Sequence, residues 1–256
     1  MATTTWERPR NTAREDGTGF TISNMLLARG AGVLYLILAL LSGFAEVYVR
    51  SGVRVAGDAA ATAENIRASA TLFRLGFAAD LVHIACLVLL AFTLYALLSP
   101  VNAKIAATFV ILIAIAATIM AVNMINHAGA LMVATDPTYA TALGAVPADA
   151  LALLFLDLHG RGFAIAQIFF GLWLLPLGYL VYRSGFFPRL LGILLMVGCF
   201  GYLAQLVAIY ASSDMESGRF LFLSLAAGLA ETLFLLWLLV KGVDAPRYDE
   251  PTGVLV

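Results

Sequence analysis

Three histidines and a few carboxylates and amides interrupt otherwise apolar stretches of this sequence, and their spacing is the first chemistry that it offers. Asp80 and His83 are three residues apart, and Asn123, Asn126 and His127 recur at helical spacing, so each set shares one face of a helix. Asp157, His159 and Arg161 stand at the edge of another apolar run, and Glu231 lies near the middle of the last one. Ionisable groups inside such runs are costly, so each requires a partner or a task. Imidazole beside carboxylate in a partly dry site is the ligand chemistry of zinc or a similar divalent ion, with His83, His127, Asp157 and His159 as candidate ligands. No HExxH-type signature accompanies them. Two of the histidines on facing helices can instead clamp a haem if they lie at matched depth. Asp80, His83 and Glu231 can relay a proton or an ion, and the same groups can serve only as hydrogen-bonding glue between helices.

The elements that must position these groups are six apolar blocks, each about 20 residues or longer, a length that matches the roughly 30 Å hydrocarbon core of a bilayer. Hydrophobic residues make up 62% of the chain and charged ones 12%, and the mean hydropathy is +0.93. Too few polar residues remain to cover a soluble globule of this size. The expected fold is therefore all-α: a polytopic bundle of six transmembrane helices with the lipid bilayer as its main partner. A formal net charge of -1 argues against nucleic acid as a partner. Cys86 and Cys199 both fall inside apolar blocks and read as small hydrophobes.

Residues 1–28 are polar, mixed in charge and without apolar periodicity, and read as a flexible tail; residues 244–256 read as a second tail. The six-helix domain between them occupies 29–243. Its first block covers 30–49, too long for a cleavable signal core. The second covers 72–98 and ends at Ser99-Pro100, and the third covers 105–133. Residues 134–147 contain Asp136-Pro137 and Gly144 and read as a surface loop. A helix over 147–182 is too long for one crossing, so an interfacial helix to Leu158 followed by a break at Gly160 and Gly162 is expected. Pro176 should bend the fourth span. The fifth span follows a turn at Gly185 and ends near Ala211, residues 212–218 form a polar loop, and the sixth span covers 220–240. Residues 56–69 can form a short amphipathic helix on the outer surface.

Along a six-span path, nine of the fifteen basic residues fall on the side that holds both termini and six on the other. The short connections carrying Lys104, Arg183 and Arg189 weigh most, so both termini are expected on the cytoplasmic side. The polar groups then gather in the outer half of the membrane. Asp80, His83, Asn123, Asn126, His127, Asp157, His159 and Glu231 are the candidates for one polar chamber there. Glu46 and Arg50, four apart with the acid first, suit a helical ion pair.

Several stretches resemble the DUF4386 family of bacterial multi-pass membrane proteins: ARGAGVLYLILALLSGFAEVYVR (28–50), GDAAATAENI (57–66), LFRLGFAADLVHIACLVLLAFTLYALLSPVN (72–102) and LALLFLDLHGRGFAIAQIFFGLWLLPLGYLVYRSGFFPRLLGILL (151–195). The likeness extends over residues 28–243 and matches the family's polar positions at Asp80, Asp157 and His159. It implies a helical fold and a place in the bacterial cytoplasmic membrane, and supplies no activity, substrate or cofactor. Three functions fit the residues: binding or transport of a small solute or ion through the outer chamber, metal-dependent hydrolysis of an interfacial substrate such as a lipid headgroup, or a structural partner subunit. In the hydrolase reading the histidines and Asp157 hold the metal and Asp80 is the general base.

Overall fold

A computed structural model describes residues 17–211 and 221–243. Helix α1 (Gly17–Gly43) runs without a stop into a π-helical segment, Phe44–Arg50, and a last turn, Ser51–Val53. A short helix α2 (Ala59–Ala68) follows, with Asp58 capping its first turn by accepting from the Ala61 N–H. The helical run Ala70–Thr135 has one non-helical residue, Asn102 (φ -162°, ψ 103°), which divides it into α3 (70–101) and α4 (103–135). Then come α5 (Pro137–Leu143), α6 (Ala145–Arg183), α7 (Arg189–Ala211) and α8 (Leu221–Val240). Among the described residues there is no strand and no disulfide.

Four helices are long and apolar enough to cross a membrane: Asn24–Val53, Ala70–Thr135, Ala145–Arg183 and Arg189–Ala208; Leu225–Val240 is a shorter apolar helix. Large apolar side chains point away from the protein interior, with Ile111, Val122 and Ile125 respectively 59, 62 and 68% exposed. In water that surface would be a large unfavourable patch; in lipid it is the matching solvent. The chain is an all-helical, multi-pass membrane protein.

At Asn102 the chain folds back into a hairpin. His127 contacts the Phe73 carbonyl 54 residues earlier, which requires α3 and α4 to lie antiparallel. Asn102 itself starts α4, because its side-chain oxygen accepts from the backbone N–H groups of Lys104 and Ile105, the usual work of an N-cap asparagine. Helix α6 packs along this hairpin and along α7, α1 packs on the hairpin and on α8, and α2 lies across α6 and the hairpin. The buried apolar side chains form two clusters. The larger one includes Leu90, Leu94, Phe109, Trp173, Leu177 and Phe234. A smaller one at one end includes Val49, Ile66, Phe73, Val133 and Leu156.

Several boundaries differ from those expected. Helix α1 begins at Gly17, so 17–28 are helical and not tail, and Ala28 is fully buried in the larger core. Residues 1–16, 212–220 and 244–256, which include the rest of the two tails and the polar loop 212–218, lie outside the described residues. The second block passes Pro100 and breaks two residues later, at Asn102. Residues 137–143, read as loop, form α5: Pro137 occupies the first turn, where its missing N–H is no loss, and the Asp136 carboxylate accepts from the Thr138 N–H. That bond holds the Asp136 carboxyl below its ordinary pKa. Gly144 then turns the chain at φ +89°, a conformation that favours glycine. The expected break at Gly160 and Gly162 is absent. Helix α6 continues through both for 39 residues, about 58 Å at 1.5 Å per residue, so it extends well beyond one crossing. The amphipathic helix expected at 56–69 is present as α2.

After Gly185 (φ +64°) turns the chain, α7 comes back against α6 at a glycine-on-glycine crossing. A Cβ added at Gly178 would stand 2.6 Å from the Gly192 carbonyl oxygen, whereas one at Gly160 would meet nothing within 4 Å. Close backbone approach through small residues is a main source of packing energy between helices in lipid. Gly178→Ala is expected to destabilise the protein by about 1–3 kcal/mol through overpacking. Gly160→Ala should be neutral or stabilising by up to about 1 kcal/mol, since alanine is the better helix former. Thermal unfolding in detergent distinguishes the two, and equal behaviour of the variants would exclude so close a crossing.

Candidate functional site

Between the two apolar clusters lies a polar layer. Along α3 the side chains run from Phe73 in the smaller core through Asp80 to Leu87 in the larger. Along α4 they run from Met120 through Asn123 and His127 to Ala130, and along α6 from Leu156 through His159 to Ala166. Asp80, Asn123, His127 and His159 are all buried, at 6, 6, 0 and 4% exposure. Each is anchored. Arg50, itself buried, donates from Nη1 to the Asp80 carboxylate and from Nε to Glu46 Oε2 at 2.7 Å. Glu46 is much more exposed than the other two, so the trio Glu46–Arg50–Asp80 links the surface to the polar layer.

Asn123 is the hub of that layer. Its Nδ2 donates to the His159 carbonyl oxygen at 2.7 Å, and its Oδ1 accepts from Asn126 Nδ2 at 3.0 Å. Gly162 makes room for it, since a Cβ at that position would run into the Asn123 amide. The glycine thus matters for space and not as a helix break. His127 Nε2 lies 3.1 Å from the Phe73 carbonyl oxygen. A carbonyl only accepts, so Nε2 carries the proton and Nδ1 presents a lone pair. That Nδ1 is buried and has no hydrogen-bond partner among the described residues. His159 Nδ1 lies 3.4 Å from both the Asn123 carbonyl oxygen, an acceptor, and Asn123 Nδ2, a donor, so Asn123 orients the ring in either tautomer. The His127 ring rests on Phe73, with centroids 4.0 Å apart, and meets His159 edge to face at 5.5 Å.

Asp80, His127 and His159 each offer one ligand atom, and these atoms lie within 4.8 Å of one another. They come from α3, α4 and α6. Two imidazoles and a carboxylate form a donor set suited to a divalent transition metal with a coordination position to spare. The geometry differs from the expected ligand set, His83, His127, Asp157 and His159, at two positions. His83 turns away, with Nδ1 3.2 Å from the Leu38 carbonyl oxygen. Asp157 accepts from Arg54 at 2.8 Å nearer the surface, where both side chains are about a third exposed. Asp80 takes their place. Because Asp80 is held by Arg50, its assignment as general base is not supported by the geometry. His127 and His159 touch directly, which leaves no gap between them for the plane of a porphyrin.

Two cavities flank the layer. One, of about 480 Å³, is lined by Glu46, Arg50, Arg54, Asp157, His159 and Arg161 among others, and is open to the surface beside Asp157. The other, of about 290 Å³, holds Glu231 and His83 in a wall of aliphatic side chains and five aromatic ones, Tyr35, Phe163, Phe170, Trp173 and Tyr202. Phe163 and Gln167 line both. The eight chamber candidates therefore divide: Asp80, Asn123, Asn126, His127 and His159 meet in the layer, Asp157 faces the open cavity, and His83 and Glu231 face the second. Outside the layer, Arg67 of α2 bridges Glu64 and Asp149 at 3.1 and 2.9 Å, and the hydrogen bond it donates to the Asp149 carboxylate raises the guanidinium pKa. Sequence reasoning did not single out the phenols of Tyr35 and Tyr202 or the Arg50–Asp80 pairing. Both are contacts between distant segments, and the only local signal was the Glu46–Arg50 spacing.

A family model described as a domain of unknown function, DUF4386, matches residues 30–242. The chain belongs to the DUF4386 family. An uncharacterised protein of Archaeoglobus fulgidus is 36% identical over 78 residues, which cover 30% of this chain and 44% of that protein. The chain thus spans less than half the length of this curated relative. No solved structure matches.

The buried ion pair in this DUF4386 chain yields a stability prediction. Replacing Arg50 by Met leaves the Asp80 carboxylate buried without its partner, which typically costs about 3–5 kcal/mol. Adding Asp80→Asn to that variant should restore much of the loss. A double-mutant cycle read by thermal or denaturant unfolding in detergent tests the coupling, and additive effects of the two substitutions would show that the pair is not joined.

Proposed function

We propose that the protein is a six-span bundle of the bacterial cytoplasmic membrane, with both termini on the cytoplasmic side, that binds a small ion or polar solute in a chamber in the outer half of the bilayer. In this reading α1, α3, α4, α6, α7 and α8 are the spans, and the bound ion is a divalent transition metal held by Asp80, His127 and His159. The observation that carries the reading is the meeting of these three ligand atoms, from three helices, within 4.8 Å. The Phe73 carbonyl that orients the His127 imidazole supports it, because metal-binding histidines usually donate their second N–H in this way. Arg50 acts electrostatically against a cation here, but it occupies one Asp80 oxygen only and shares its charge with Glu46. The carboxylate thereby keeps a fixed orientation and a second oxygen for the ion.

The test is elemental analysis of the detergent-purified chain after exposure to zinc and removal of loose metal. About one ion per chain is expected in the wild type. The content should fall in Asp80→Asn, His127→Ala and His159→Ala and persist in His83→Ala and Asp157→Asn. A metal-free wild type, or loss confined to the last two variants, overturns the assignment.

A second reading, hydrolysis, is favoured by one further observation: His159 belongs both to the ligand set and to the wall of the open cavity, where Arg50, Arg54 and Arg161 also lie. An ion at that wall supplies Lewis-acid activation of water, and the arginines suit an anionic substrate such as a phosphate headgroup. Metal-loaded protein that releases no product from phospholipid vesicles, while still binding one ion per chain, would leave binding alone.

A further inference from the structure

Glu231 lies within α8, and both of its oxygens are engaged. Tyr35 of α1 donates to Oε1 at 2.5 Å and Tyr202 of α7 donates to Oε2 at 2.6 Å. Two phenols from two other helices thus donate to both carboxylate oxygens and fix the orientation of the carboxylate in the cavity. The 290 Å³ cavity in front of it is walled by Tyr35, Trp173, Phe163, Phe170 and Tyr202. The Tyr35 and Trp173 rings lie 6.2 Å apart and tilted at 57°, and Phe163 and Phe170 lie 6.4 Å apart. Trp173 is 1% exposed, and its indole N–H has no acceptor among the described residues. Among the described residues, neither lysine nor arginine lines this cavity. His83, its other ionisable nitrogen base, has Nδ1 turned to the Leu38 carbonyl oxygen.

A carboxylate that ionises inside a membrane requires a positive counter-charge, and the described lining of this cavity offers five aromatic rings and no lysine or arginine. Aromatic faces attract cations through their quadrupole, most strongly when water is excluded. A carboxylate ringed by such faces selects a charge with an apolar body, which a metal ion or a hydrated inorganic cation lacks. A volume near 300 Å³ is at the lower end of the range for small-molecule sites, roughly 300–1,000 Å³, so the ligand is compact.

We propose that the Glu231 cavity is a binding site for a small hydrophobic ammonium ion, with Glu231 as counter-ion, Tyr35 and Tyr202 as its positioning groups, and Trp173 and the phenylalanines as the walls that receive the apolar body. The site is separate from the Asp80–His127–His159 cluster. Phe163 and Gln167 form a wall common to this cavity and the open one, which places the two sites side by side without a ligand residue in common.

Benzyltrimethylammonium is the probe, with neopentylbenzene as its uncharged isostere, against the full chain in detergent. Isothermal titration should show saturable binding of the cation to the wild type and at least a tenfold weaker affinity in Glu231→Gln, while the isostere binds neither protein to a comparable degree. The wild type should also unfold at higher temperature in the presence of the cation and not of the isostere, a readout that needs no variant. The metal content of Glu231→Gln should equal that of the wild type, so a failure at this site is distinguishable from a failure of the metal cluster. Equal affinity of wild type and Glu231→Gln for the cation, or equal stabilisation of the wild type by cation and isostere, overturns the proposal.

Discussion

The pairing of Arg50 with Asp80 is the constraint on which the rest of this structure depends. Two opposite charges are buried between helices α1 and α3, with Glu46 holding the far side of the guanidinium. A buried pair is costly to form and more costly to break, so the helices around it are arranged to keep it intact. The π-helical segment at Phe44–Arg50 is part of that arrangement. Its wider turn shifts the phase of the residues that follow and brings Arg50 inward, and such segments recur where function requires a side chain to be re-aimed. Gly76 is another part, because a Cβ there would press on Val49 at 2.9 Å. The missing side chain lets the end of α1 approach α3 closely enough for Arg50 to reach Asp80.

From that pair the polar layer extends across α4 and α6 and separates two apolar cores. Asn123 ties the α6 backbone to α4, Gly162 admits it, and the two histidines stand in contact, His127 donating to the Phe73 carbonyl and His159 held beside Asn123. Satisfied polar groups of this kind specify one relative rotation for each helix, which apolar packing in lipid does weakly on its own. The layer therefore has a structural role whatever it binds. The bare, buried Nδ1 of His127 is what exceeds that role, because a group present only for structure would be expected to have its hydrogen bond.

The two cavities make different chemical demands. The larger is rimmed by arginines, carboxylates and His159 and reaches the surface; the smaller is aromatic around one carboxylate. Polar recognition and cation recognition are thus kept apart by Phe163 and Gln167, one helical turn apart on α6. Helix α6 is the element common to the polar layer, both cavities and the tight crossing with α7, which accounts for its continuity through Gly160, Gly162 and Pro176.

The sequence by itself determined the solvent and the class of fold. Long apolar blocks with few charges leave no other medium, and backbone groups in that medium must be paired within helices. It also marked the polar residues to look at, because ionisable groups in such blocks are rare enough to notice: Asp80, His83, His127, Asp157, His159 and Glu231 all stand out in the chain. What only the tertiary structure decided is how they are grouped. Helical spacing relates residues three or four apart, whereas Asp80, His127 and His159 meet across 47 and 32 intervening steps of the chain. Asp157 and His83, nearer to those histidines in sequence pattern, turn to Arg54 and to the Leu38 carbonyl instead. The break at Gly160 and Gly162 was misread for the same reason: a glycine in a sequence shows that a side chain is missing, and only the neighbouring helix shows that the space belongs to Asn123.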